Sequence, residues 1–204
     1  MVFDKKKVTN LIASFIFVIR NFFFLVFFPY KGMRRISLEK DYWQIVFIFL
    51  TVFIYFNLVY FLRGSSYPPT FTFFIFLVNF FLMIGFFYIL GKFFNRKIKK
   101  RALFFTFSYS LLPTLIWFFT TLFFYFIIPP PRTFSLMGRL FSFFFITFSL
   151  TVFFWKLILF YLAIRFSTGL SFFKIVYLIF LFLLWYIPYS ILLYYLKIFR
   201  VPFI

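Results

Sequence analysis

Ala102–Ile128, ALFFTFSYSLLPTLIWFFTTLFFYFII, runs 27 residues without a charge. A helix rises about 1.5 Å per residue and needs about 20 apolar residues to cross a bilayer, so this stretch is long enough to span. It is preceded by Lys99, Lys100 and Arg101 and stopped by Pro129, Pro130 and Pro131. Four further runs have the same character: 42–62, 71–91, 140–164 and 172–196. The gaps between them hold turn or charge signals, Gly64-Ser65-Ser66 with Pro68-Pro69, Asn95-Arg96-Lys97, and Ser167-Thr168-Gly169. The runs are continuous rather than alternating in polarity, which excludes a β-barrel pattern. The expected fold is all-α, a polytopic transmembrane bundle of five helices.

Composition agrees. Hydrophobic residues make up 66% of the chain and 47 of its 204 residues are phenylalanine; soluble domains stay near half apolar. A single water-soluble core of this length could not hide so much apolar surface. Cysteine is absent, which removes disulfides and thiolate metal sites.

Leu11–Tyr30 is long enough to span, yet Arg20 and Asn21 sit at its centre. On a helical wheel Lys7, Asn10, Ser14 and Asn21 fall within about 60° of one another. The pattern predicts an amphipathic helix lying in the headgroup region, with Lys5, Lys6 and Lys7 on anionic lipid. The alternative is a sixth span, which would hold an arginine mid-membrane at about 2.5–3.5 kcal/mol on insertion scales. Residues 1–41 thus read as a cytoplasmic and interfacial segment, 42–196 as the transmembrane domain and 197–204 as a short external tail. No signal peptide is expected, since the first apolar stretch lacks a small-residue cleavage site.

The net charge is +19. Five spans with the N-terminus inside place fifteen basic residues on one face: Lys5, Lys6, Lys7, Lys31, Arg34, Arg35, Lys40, Lys92, Arg96, Lys97, Lys99, Lys100, Arg101, Arg165 and Lys174. The other face keeps Arg63, Arg132, Arg139, Lys197 and Arg200. That asymmetry predicts a cytoplasmic N-terminus, an external C-terminus and residence in a bacterial cytoplasmic membrane. The basic clusters sit beside apolar runs, so their expected partners are anionic lipid heads, other membrane proteins or a second copy, and not nucleic acid. Lys92, Arg96, Lys97, Lys99, Lys100 and Arg101 form the densest cluster, a topological anchor and candidate docking surface.

Chemistry-bearing groups are scarce. The only acids are Asp4, Glu39 and Asp41, and histidine is absent. General acid–base work needs a group that titrates near neutrality, and none lies in the spans. We expect no enzymatic activity, no cofactor and no metal. Lys156 is the one charge well inside a span, nine residues before Arg165 and about 13 Å from that helix end. Its simplest reading is snorkelling toward the inner interface; its functional reading is contact with an anion, a lipid head or a partner's carboxylate. Pro113 and Pro188 should kink spans three and five, with Ser108, Ser110 and Thr114 near the first kink. Gln44, Asn57 and Asn79 are expected to hydrogen-bond between helices, and Thr147 with Thr151 gives a small-xxx-small spacing.

Two stretches carry a resemblance. Arg101–Thr121, RALFFTFSYSLLPTLIWFFTT, holds Tyr109-Ser110 a few residues before Pro113, and Trp155–Lys174, WKLILFYLAIRFSTGLSFFK, ends in the loop Gly169-Leu170-Ser171. With a basic N-terminal segment, five spans and short loops, the chain resembles the Yip-domain family, whose eukaryotic members are named for interaction with Rab-type GTPases. It is most similar to the short bacterial branch. The resemblance implies a five-span, non-enzymatic scaffold or interaction protein acting in membrane organisation or traffic. The competing expectation, from Pro113, Pro188 and Lys156, is a small permease or channel subunit.

Overall fold

The computed structural model describes residues 5–64, 67–95, 98–127 and 136–198. These form helices and connectors, with no strand among the described residues. The order is α1 (Lys5–Phe27), α2 (Pro29–Ile36), α3 (Trp43–Arg63), α4 (Pro69–Phe94), α5 (Lys100–Tyr109), α6 (Leu112–Ile127), α7 (Leu136–Thr168) and α8 (Phe172–Tyr195). The chain is an all-α helical bundle whose long helices are apolar enough for a membrane. Six stretches meet that description, the sixth being 9–27 in α1.

Helix ends follow local chemistry. Pro29 and Pro69 stand in the first turns of α2 and α4, where a missing backbone donor costs nothing. Gly64 and Gly169 take left-handed φ values of 56° and 67° just past α3 and α7, a conformation glycine reaches without a Cβ clash. Pro113 was expected to kink the third span. Instead the helix breaks, with α5 ending at Tyr109, two residues in turn conformation, and Pro113 as the second residue of α6. Pro188 lies inside α8, which continues through it.

α5–α6 is the axis of the bundle. Every residue from Phe105 to Leu115 is buried, and half of the span's apolar window is buried, against 17–33% for the other five. α3 runs parallel to it, as Tyr42 meets Phe105, Tyr55 stacks on Phe118 at 4.1 Å, and Arg63 donates to the Thr121 carbonyl at 2.6 Å. α7 returns antiparallel, with Trp117 donating to Ser149 and Phe124 against Phe141. α4 and α8 close the other side through Phe94–Tyr177, Phe86–Phe182 and the Tyr189 hydroxyl donating to Asn79. Lipid tails are as apolar as these side chains, so dispersion and interhelical hydrogen bonds hold the bundle. Aromatic pairs in edge or offset geometry add about 0.5–1.5 kcal/mol each.

α1 and α2 pack at one end, against the start of α3, α5 and the close of α7. Two residues of the polar stripe expected to meet headgroups, Ser14 and Asn21, are turned inward. Ser14 donates to Asp41, and Asn21 donates to Gln44 at 3.4 Å and Tyr109 at 3.2 Å; both are buried. Asn10 and Arg20 remain exposed, while the side chains of residues 5–8 are not described. The reason is pairing: buried amides need partners, and the connector before α3 supplies two of the chain's three acids.

Candidate functional site

The break between α5 and α6 faces a cavity of about 60 Å³ in the middle of the bundle. Four elements build its polar wall: Asn79 from α4, Ser110 and Thr114 from the break, Lys156 from α7 and Tyr186 from α8. Ser110 and Thr114, four residues apart, share the side of the α5–α6 span that faces the cavity. Lys156 was expected either to snorkel toward the inner interface or to contact an anion, a lipid head or a partner's carboxylate. It lines this cavity, half-buried, about 18 Å by helical rise from Thr168.

The hydrogen bonds around the cavity are uneven. The Asn79 Oδ1 accepts from Tyr189 at 2.7 Å, while its Nδ2 has no partner among the described residues. Ser110 donates to the Phe107 carbonyl at 2.8 Å. The Thr114 hydroxyl, expected to serve the kinked backbone, likewise has no partner among the described residues. Asn79 and Thr114 are 5% and 6% exposed. Neither acid among the described residues reaches Lys156, since Glu39 and Asp41 stand at the α1–α2 end. A lone cation at that depth carries a penalty on the order of 3 kcal/mol.

Aromatic contacts flank both sides. Toward the α1–α2 end, Phe87 meets Phe107 at 5.5 Å, Phe160 at 5.2 Å and Phe182 at 5.1 Å. Each of the four lies about one turn from a cavity residue in that direction. Toward the other end, Phe76 meets Phe56 at 5.9 Å, and Phe56 meets Phe118 at 6.0 Å.

A second polar cluster sits nearer the α1–α2 end. The Tyr109 hydroxyl donates to Gln44 Oε1 at 2.6 Å, and Gln44 Nε2 donates to Glu39 at 3.4 Å. With Asn21 it joins α1, α3 and α5. Gln44 and Asn79 thus bond between helices as expected, whereas Asn57 donates to its own helix at the Phe53 carbonyl and Thr147 and Thr151 bond one turn back.

The basic loop is separate from the cavity. Lys92, Lys99, Lys100 and Arg101 are exposed near the close of α4 and start of α5, with the Lys100 ammonium 4.9 Å from the Tyr88 ring centre. Arg96 and Lys97 lie outside the described residues. α2 adds exposed Lys31, Arg34 and Arg35 to that end, because Tyr30 packs on Phe166 at the close of α7. Tyr186 and Tyr189 escaped the sequence reading, since a tyrosine inside an apolar run scores as one more ring. The one available signal was that buried phenols usually find a hydrogen-bond partner. No protein-family model, no curated protein and no solved structure matches this chain.

Proposed function

We propose that this chain is a non-enzymatic integral membrane protein of the scaffold or interaction type, with five spans and α1–α2 lying on the inner interface. The cytoplasmic membrane of a bacterium, N-terminus inside, is its proposed location. The observation that carries the reading is the packed interior: a small cavity stands between aromatic contacts toward either end of the bundle. A scaffold needs a packed bundle and an outer contact surface. The exposed basic residues of α2 and the α4–α5 connector supply such a surface for anionic lipid heads or another membrane protein, each charge contributing about 1 kcal/mol near an anionic leaflet. The Yip-domain resemblance points the same way, since its Tyr109-Ser110 and Pro113 fall at the helix break.

One feature favours a second reading, a small permease or channel subunit: transporters place broken helices and charges near the bilayer midplane. Reconstitution into vesicles containing phosphatidylglycerol separates the two. The scaffold reading expects efflux of entrapped chloride, phosphate and amino acids at the rate of protein-free vesicles. Saturable efflux abolished by Lys156→Met would establish the permease reading in its place.

A further inference from the structure

The geometry points to the Lys156 cavity as a binding site for one oxyanion group, a carboxylate or a phosphate, carried on an apolar tail. Three donor-bearing residues line the space, Lys156, Asn79 and Thr114, and neither Asn79 Nδ2 nor the Thr114 hydroxyl has an acceptor among the described residues. The two neutral ones are more than nine-tenths buried and unpartnered among the described residues. Buried donors without acceptors are rare and point to a missing partner. A neutral ligand group could satisfy one of them; only an acceptor-rich anion answers all three and the charge together.

Size and access narrow the ligand. The cavity is small, about 60 Å³, which favours a compact group such as a single carboxylate or phosphate. Aromatic contacts around Phe182 and Phe118 flank the cavity in both water-facing directions. Lys156 stays half-exposed on the flank of α7, between the exposed Phe153 and Leu157. A group arriving within the bilayer plane, its tail against that flank, meets neither set of contacts. This inference stands apart from the scaffold reading, because a bundle that moves no solute can still hold such a group.

The test uses the full chain in phosphatidylcholine bilayers and its own tryptophans. Trp155 and Trp185 adjoin Lys156 and Tyr186, so a brominated ligand in the cavity quenches them. Dibromostearate should quench saturably above the baseline set by brominated phosphatidylcholine, and brominated phosphatidic acid tests the phosphate arm. Lys156→Met, of similar length and apolar, should raise the half-saturating mole fraction at least tenfold, and Thr114→Val about threefold. Both variants should keep the wild-type melting profile, which separates lost binding from lost fold. Displacement of the quencher by acetate or inorganic phosphate would assign the site to free anions, overturning the tail and keeping the oxyanion. Equal quenching of wild type and Lys156→Met, or equal binding of dibromostearyl alcohol, would overturn the site.

Discussion

Tyr109, Gln44 and Asn21 show what a polar atom does in an apolar interior. Gln44 Oε1 accepts from both neighbours, at 2.6 Å and 3.4 Å, and its amide nitrogen reaches Glu39. Tyr109→Phe removes one hydroxyl and leaves the ring against Phe22. Since interhelical hydrogen bonds in membranes contribute about 0.6–1.7 kcal/mol, this variant should lose about 1 kcal/mol in reversible unfolding from mixed micelles. Gln44→Leu strands two donors and should lose about twice that; equal losses for the two would show that the triangle does not act as a unit. Gln44 and Asn79 were legible from the sequence, because an amide inside a hydrophobic run must find a partner, whereas Asn57 found one on its own helix and Asn21 turned inward against expectation. Lys156 was legible as an anomaly, but not its direction. Which face of α7 turns to the core depends on where α4 and α8 pack, and α7's near-uniform greasiness carries no periodic signal of that.

Element by element, long apolar helices were legible and short ones were not. α2, PYKGMRRI, has three basic residues in eight and reads as a connector. Its helix is made by packing that fully buries Met33 and nearly buries Ile36, a tertiary cause that no local propensity contains. α1 was legible as a helix with a polar stripe, but the stripe's direction was not, because its partners Asp41 and Gln44 come from later in the chain. The joint between α1 and α2 is close: a Cβ on Gly32 would lie 3.0 Å from Leu25 Cδ2 and 3.4 Å from Phe24 Cδ1. Gly32→Val overfills that contact, and overpacking costs about 1–3 kcal/mol. Hydrogen exchange should then accelerate at least tenfold across Ser14–Leu25 and stay unchanged in α5 and α8. Uniform acceleration would mean that α1 and the bundle unfold as one piece.

For the molecule as a whole, the open quantity is whether α1 crosses the bilayer, and the contacts give it a direction. Ser14 and Asn21 are seven residues apart on α1, about 10 Å by rise. Their partners Asp41 and Gln44 are three residues apart at the mouth of α3, and Phe15 meets Phe47 one turn further in. A helix paired along α3 would advance on it residue for residue; this one crosses its end. Composition could not decide the matter, since an apolar helix lying across the bundle and one threading the membrane differ in tilt and not in residues. The chain has no cysteine, so single labels report cleanly. Spin labels at Ile16→Cys and Phe23→Cys, both exposed, should sit at similar shallow depths, within about 3 Å by collision with lipid-borne relaxants, where a spanning α1 would separate them by about 10 Å. Labels at Lys99→Cys and Ser171→Cys should react from the cytoplasmic side and one at Tyr67→Cys from the other. A 10 Å separation in depth would make six crossings, return both chain ends to one side of the membrane, and move the Lys5–Lys7 end of α1 away from the inner interface while α2 stays there.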